Sequence, residues 1–209
     1  MGFQHISGGY IKDVYAGRNQ NDAYPTPPFV TYALHYHERL PKRIWEPACG
    51  RGWMSSELIR LGYNVKSSDL YEYENPLVPH IYNHIDYTKD VPFTVDGIVT
   101  NPPYAKDLAQ KFIERTIKLY PYGAFLCRLT FAESSKRLQL FTKYPPSRVL
   151  VFSQRFSCDE SRFETDPLSG MVAYAWWIWD DREKNEHGKI SWINTKEMYE
   201  KWKRDIKID

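Results

Sequence analysis

The chain has 209 residues, of which 42% are hydrophobic and 26% charged, and its formal net charge is +2. These values are ordinary for one soluble globular domain with a full core, and so small a net charge does not by itself indicate a nucleic-acid partner. The chain has no apolar run of about 18 residues and its three cysteines form no CxxC pair, which excludes a membrane span, a CxxC zinc site and a disulfide framework. We therefore expect a reduced, cytoplasmic protein.

The beginning of the chain predicts an irregular arm followed by a helix. Residues 1–23 are rich in Gly, Asn, Asp and Tyr and show no clear period, so little regular structure is expected there. Thr26 is a suitable N-cap and Pro27 suits a first helical turn. The sequence therefore predicts a helix over 29–40, ending before Pro41.

The rest of the chain alternates short apolar runs with amphipathic segments. Strands are predicted from Ile44 and at 64–68, 85–87, 97–100, 123–129, 148–152 and 173–179, with helices over 53–61, 107–120 and 133–141. This alternation predicts an α/β fold, with a Rossmann-like, seven-stranded, mostly parallel sheet and helices on both faces. Residues 153–172 form a loop long enough to suggest a function, and a short strand (190–193) and a helix (195–206) follow.

Polar residues follow four consecutive predicted strands. The first strand runs into a glycine turn, 48–52, which lets a backbone approach a ligand closely. Asp69 ends the second strand, about 20 residues beyond Gly50, where carboxylates of Rossmann-like sheets meet ribose hydroxyls. Asp86 ends the third strand and Asn101 the fourth, so all four features are expected at one crevice.

The fourth strand ends in Asn101-Pro102-Pro103-Tyr104, because two adjacent prolines have no N–H to continue a sheet. Such an elbow suits an exocyclic amine, whose lone pair is delocalised: the Asn101 side-chain oxygen and the Pro102 carbonyl can accept its two N–H bonds, and Tyr104 can stack on the ring. Taken alone, these residues also suit a surface turn.

A basic stretch follows this elbow. Only three acids lie among nine basic residues: Lys106, Lys111, Arg115, Lys118, Arg128, Lys136, Arg137, Lys143 and Arg148. The stretch predicts either a basic surface beside the site or an ordinary solvated helix face.

In motif order, the sequence resembles the class I S-adenosylmethionine-dependent methyltransferases, and specifically the DNA adenine-N6 enzymes of restriction–modification and phage type. The resemblance covers about residues 24–180. It rests on a Thr-Pro-Pro motif (26–28), the Glu-Pro-Ala-Cys-Gly turn (46–50), Asp69, Asp86-Tyr87 and the 101–104 elbow. It implies that Asn101, Pro102, Pro103 and Tyr104 are catalytic.

The resemblance also implies S-adenosylmethionine as cofactor and DNA as partner, with no metal and no membrane. Thr26 and the glycine turn would hold the methionine portion and Asp69 the ribose. The cofactor residues would be Tyr24, Thr26, Glu46, Ala48, Gly50, Asp69, Leu70, Asp86, Tyr87 and Asn101. Phe156 and Phe163 are the candidates for a second aromatic residue that stacks on the target base.

The chain departs from many members of this family in one respect. Those members carry a separate domain for target recognition, and 209 residues leave no room for one. We therefore expect an arm (1–23), a methyltransferase domain (24–180) and a strand–helix extension (181–209) on the same domain, with a protein partner as an alternative source of specificity. Three other functions stay open: an RNA adenine-N6 methyltransferase, a protein glutamine methyltransferase and an inactive cofactor-binding subunit.

Overall fold

The fold is a seven-stranded mixed sheet with helices on both faces. The computed structural model describes residues 24–182 and 188–207, so the predicted arm (1–23) lies outside the described residues. The strands are β1 (Arg43–Glu46), β2 (Asn64–Ser67), β3 (Gly97–Thr100), β4 (Tyr122–Arg128), β5 (Arg148–Phe152), β6 (Tyr174–Asp180) and β7 (Lys189–Ile193). The helices are α1 (Pro28–His37), α2 (Trp53–Arg60), α3 (Leu108–Leu119), α4 (Leu138–Lys143) and α5 (Thr195–Asp205).

The strand order is β2-β1-β3-β4-β6-β5-β7. Strands β1 to β4 are mutually parallel, β6 is antiparallel to both of its neighbours, and β7 is parallel to β5. The predicted α/β class and mostly parallel sheet are thus confirmed. Because parallel strands end together, β1 to β4 share one carboxyl edge, which we call the site edge.

Two apolar clusters pack the sheet, one on each face. Helices α1, α2 and α5 contribute Phe29, Leu58 and Met198 to one cluster, which includes Trp176. Helices α3 and α4 contribute to the other cluster, around Trp45. Most of the aromatic residues therefore serve the core.

The predicted strand at 85–87 does not form. His84 has a left-handed φ of 61°, which breaks an extended backbone directly before Ile85. The Asp86 side chain accepts the Thr88 N–H, and the Asp86 carbonyl accepts two backbone N–H groups, so a local turn replaces strand pairing. Only Tyr82 bridges to Ser68, and the seventh strand of the sheet is the C-terminal β7 instead.

Two helix predictions also need correction. Thr26 is not the N-cap of α1: Pro27 holds that position, with no side-chain cap, and the helix ends at His37. The segment predicted as one helix over 133–141 is a 3-10 turn, Ser135–Arg137, followed by the short α4.

Candidate active site

A cleft of about 1600 Å³ opens at the site edge. Its walls come from the ends of the parallel strands, from the segment before α1 and from the 153–172 loop. The predicted residues that line it are Tyr24, Thr26, Glu46, Ala48, Gly50, Asp69, Leu70, Asp86, Tyr87, Asn101, Pro102, Pro103 and Phe156. The fold thus brings together nearly all of the residues singled out from the sequence.

The Asn101 amide is held by three hydrogen bonds. Its Nδ2 donates to the Tyr24 carbonyl at 2.9 Å and to Thr26 Oγ1 at 3.2 Å. Its Oδ1 accepts from the Tyr104 hydroxyl at 2.5 Å. Thr26 therefore orients Asn101 rather than capping α1. Since an amide oxygen has two lone pairs, Oδ1 retains capacity for one further donor.

Tyr104 is turned inward and is not part of the cleft wall among the described residues. Its hydroxyl oxygen also lies 2.8 Å from the Leu126 carbonyl, so the single hydroxyl proton is shared between this carbonyl and Asn101 Oδ1. Burial raises the pKa of this hydroxyl well above its usual value, so it remains a donor at neutral pH. In this conformation Tyr104 positions Asn101, and its stacking on a target ring remains a prediction.

The glycine turn between β1 and α2 is closed by Asp69. Gly50 has a φ of 54° and its N–H donates to Asp69 Oδ2 at 2.8 Å. The other carboxylate oxygen accepts the Tyr71 N–H at 3.0 Å. Burial raises the pKa of Asp69, and these N–H donors oppose the rise. Leu70, the next residue, is 45% exposed and free to pack on a planar group.

Asp86 and Tyr87 lie at the same end of the cleft, although no strand carries them. Asp86 Oδ1 accepts from Thr88 N–H and Oγ1, and Oδ2 pairs with the exposed Lys89 at 2.7 Å. Tyr87 is 2% exposed and its hydroxyl is hydrogen-bonded to Thr116 Oγ1 at 2.6 Å. Their contact with the cofactor remains a prediction.

Glu46, the last residue of β1, is a buried carboxyl group. It is 2% exposed and accepts a hydrogen bond from the Ser55 hydroxyl. Burial raises the pKa of Glu46 to about 8; the Ser55 hydrogen bond opposes the rise and the nearby Asp69 charge adds to it. Much of Glu46 is therefore protonated at neutral pH when no cation faces it.

The two aromatic candidates of the 153–172 loop occupy different positions. Phe156 is 1% exposed, lines the cleft, and stacks on Tyr174 with ring centroids 5.2 Å apart. Phe163 is outside the cleft wall and packs edge-on against Trp53 at 5.1 Å. Together with the Arg51–Glu160 ion pair, at 2.5 Å, this contact fastens the loop to the glycine turn.

Two cleft residues, Arg128 and Tyr174, were not singled out from the sequence. They are cross-strand neighbours, because Arg128 ends β4 where Tyr174 begins β6. Arg128 was only one of the nine basic residues, and its position at a strand end beside Asn101 was the available signal.

The remainder of the basic stretch is dispersed. Arg148 lies at the opposite edge of the sheet, paired with Glu38 and Asp180 at 2.8 and 2.9 Å. Lys136 and Arg137 face Asp107 near the site edge. The stretch therefore does not form one continuous basic surface.

In residues 24–182 and 188–207 no three or more His, Cys, Asp or Glu side chains are grouped as metal ligands. Within the same ranges no helix is long and apolar enough to cross a membrane. Cys49 and Cys127 are buried free thiols.

The sheet order, the cleft and the glycine turn define the class I methyltransferase fold. No protein-family model and no curated protein matches the chain. Among solved structures it is similar to a putative class I S-adenosylmethionine-dependent methyltransferase from Listeria monocytogenes (TM-score 0.58, 16% identity, 88% of this chain and 69% of that one).

Two further similar structures come from a restriction enzyme and from a putative RNA methyltransferase. One is the M protein of the type I restriction enzyme EcoKI (TM-score 0.53, 12% identity, 77% of this chain and 44% of that one). The other is a putative RNA methyltransferase from Pyrococcus horikoshii (TM-score 0.51, 12% identity, 72% of this chain and 79% of that one). At these identities the similarity shows the fold alone.

The raised pKa of Glu46 makes stability depend on pH. A carboxyl group whose pKa is about 8 when folded and near 4.5 when unfolded stabilises the fold below pH 4.5, and this contribution is lost as pH rises through 8. Glu46→Gln should abolish this dependence. We expect the free energy of unfolding of the wild-type chain, measured by urea denaturation, to fall between pH 5 and pH 8.5. The fall should exceed that of the variant by at least about 1 kcal/mol. Parallel pH dependences would contradict burial of the ionisable carboxyl group.

Proposed function

We propose that this chain is an S-adenosylmethionine-dependent methyltransferase that methylates N6 of adenine in DNA. The observation that carries the proposal is the fixed Asn101 amide at the end of β3, beside the Pro102 carbonyl in the wall of the cleft. Two neighbouring acceptors are what an exocyclic amino group with two N–H bonds requires.

The other end of the cleft suits the cofactor. S-adenosylmethionine supplies an electrophilic methyl group on a positively charged sulfur and also carries a cationic amino group. Three carboxyl groups, Glu46, Asp69 and Asp86, lie at this end, and exposed Leu70 offers an apolar surface to the adenine. A Cβ at Gly50 would have no atom within 4 Å, so backbone and open space face the ligand there.

The proposed role of Asn101 and Pro102 is to activate the amine. Accepting its two N–H bonds turns the lone pair away from conjugation with the ring and stabilises the positive charge that develops on nitrogen. The lone pair forms the new N–C bond while the electrons of the S–C bond return to sulfur. The nitrogen then releases one proton to water, so no dedicated base is needed. Pro103 keeps the elbow rigid.

A target adenine must leave the base stack to reach Asn101, at a cost of a few kcal/mol. Stacking in the cleft returns about 1–3 kcal/mol per base. Phe156 is the better of the two loop candidates, because it lines the cleft whereas Phe163 lies outside its wall. Tyr104 can stack only if its hydroxyl leaves Asn101. We also propose that 24–180 is the catalytic domain and 181–209 an extension of it.

The decisive experiment supplies the purified protein with methyl-labelled S-adenosylmethionine and, separately, unmethylated DNA, RNA and a protein extract. We expect label on DNA, recovered as N6-methyladenine after digestion to nucleosides and mass analysis. Label on RNA alone, or on protein glutamine alone, would show that the substrate is not DNA. The proposed chemistry, methyl transfer to an exocyclic nitrogen, would still hold. Cofactor binding without label on any of these would favour an inactive or partner-dependent subunit.

Asn101→Ala should lower the rate of methyl transfer by at least about 10²–10³-fold, because it removes one of the two acceptors for the amine. Cofactor affinity, measured by calorimetry, should be retained. Asn64→Ala, at the start of the partly exposed β2, is the matched control and should not change the rate. An unchanged rate in Asn101→Ala would overturn the mechanism.

Asp69→Ala should weaken binding of S-adenosylmethionine in calorimetry. The substitution removes the proposed ribose partner and also the acceptor that closes the glycine turn through Gly50. Asp69→Asn keeps one acceptor oxygen and should have a smaller effect. Equal affinities for the wild type and Asp69→Ala would argue against any role of this carboxylate in the cofactor site.

A further inference from the structure

We infer that Arg128 binds a backbone phosphate of the target strand next to the displaced nucleotide. This inference rests on the proposed function. It identifies the substrate as a nucleic acid because a nucleic acid carries the anionic phosphates that a guanidinium binds. Arg128 ends β4 at the site edge, adjacent to β3 and the Asn101 elbow, and lines the cleft. It therefore lies at the substrate end.

The Arg128 guanidinium rests on aromatic rings instead of a carboxylate. Its central carbon is 5.1 Å from the Tyr104 ring centroid and 6.0 Å from that of Tyr24. Its Nε is buried without a hydrogen-bond partner, and within residues 24–182 and 188–207 it pairs with no Asp or Glu. On its other side it meets the Tyr174 hydroxyl.

The other two arginines in the cleft wall are neutralised by the loop. Arg51 pairs with Glu160 at 2.5 Å, and Arg162 lies 3.7 Å from Asp159. Arg128 therefore differs from them in chemistry as well as in position. A partly buried guanidinium with no carboxylate partner in the described ranges is unfavourable, and an anionic ligand would relieve this cost.

The charges of the cleft are segregated in a way that favours this assignment. Carboxyl groups lie around the glycine turn, where a cationic cofactor is proposed, whereas the Arg128 cation lies beside Asn101. An adenine ring and a glutamine carboxamide are both neutral. A nucleotide, however, places a phosphate a few ångströms from its base, and a guanidinium can bind phosphate through two parallel N–H bonds.

The position over Tyr104 gives a second consequence. In this conformation the guanidinium carbon lies over the Tyr104 ring, on which a target base was predicted to stack. Movement of Arg128 toward a phosphate would remove this cover from the ring, and stacking would then also require the Tyr104 hydroxyl to leave Asn101.

The test compares Arg128→Gln and Arg128→Lys with Lys118→Gln, an exposed lysine at the end of α3 away from the site edge. Binding of a short fluorescein-labelled DNA, duplex or single-stranded, is measured by fluorescence anisotropy from about 50 to 200 mM salt. We expect Arg128→Gln to weaken binding about tenfold. The salt slope, which is the magnitude of the slope of the logarithm of the binding constant against the logarithm of the salt concentration, should fall by about 0.9 for duplex or 0.7 for a single strand. Arg128→Lys should keep the slope and lose part of the affinity, since it keeps the charge without the planar fork.

Calorimetry with S-adenosylmethionine accompanies each variant and should give the wild-type affinity. If Arg128→Gln leaves the salt slope unchanged, or changes it no more than Lys118→Gln does, the inference is overturned even where DNA is methylated. Loss of cofactor affinity would also overturn it, because Arg128 would then serve the fold. An Arg128-dependent slope in a protein that methylates no nucleic acid would support the inference while the proposed function fails.

Discussion

The parallel alignment of β1 to β4 is the constraint on which the site depends. Because these strands end at one edge, Glu46, Asp69, Asn101 and Arg128 face one cleft although the chain separates them widely. None of the four needs a long or strained loop to reach it. The same alignment orders the chemistry, with carboxyl groups at the β1–β2 end and the amide and guanidinium at the β3–β4 end.

Burial gives these groups properties that they would not have in water. Glu46 is largely protonated at neutral pH until a cation faces it, and the Tyr104 hydroxyl remains a donor to Asn101. Arg128 lies against two ring faces and pairs with no carboxylate among residues 24–182 and 188–207. One end of the cleft therefore holds a largely neutral carboxyl group that a facing cation would ionise, and the other end holds a guanidinium that suits an anion.

Local signals in the sequence predicted the sheet and most of the cleft. The change from an apolar run to a polar residue marks Asp69 and Asn101 as strand ends, and it depends only on adjacent residues. Two other contacts decided the rest: a local turn at Asp86 replaced the strand predicted at 85–87, and Thr26 bonds to the distant Asn101 instead of capping α1. Arg128 could not be distinguished from the other basic residues because its surroundings, Tyr24 and Tyr104, come from distant segments.

The packing of α5 on α1 has a consequence for biosynthesis. Phe29 of α1 lies 5.4 Å from the Tyr199 ring, and the Tyr32 hydroxyl donates to Asp205, so α1 is covered by the C-terminal helix. The segment directly before α1 supplies the Tyr24 and Thr26 partners of Asn101. During translation the nascent chain can pair β1 to β4 early, but the support of α1 behind these partners is complete only once α5 has left the ribosome. The support of the active site is thus completed by a helix that is synthesised after all of the cleft residues.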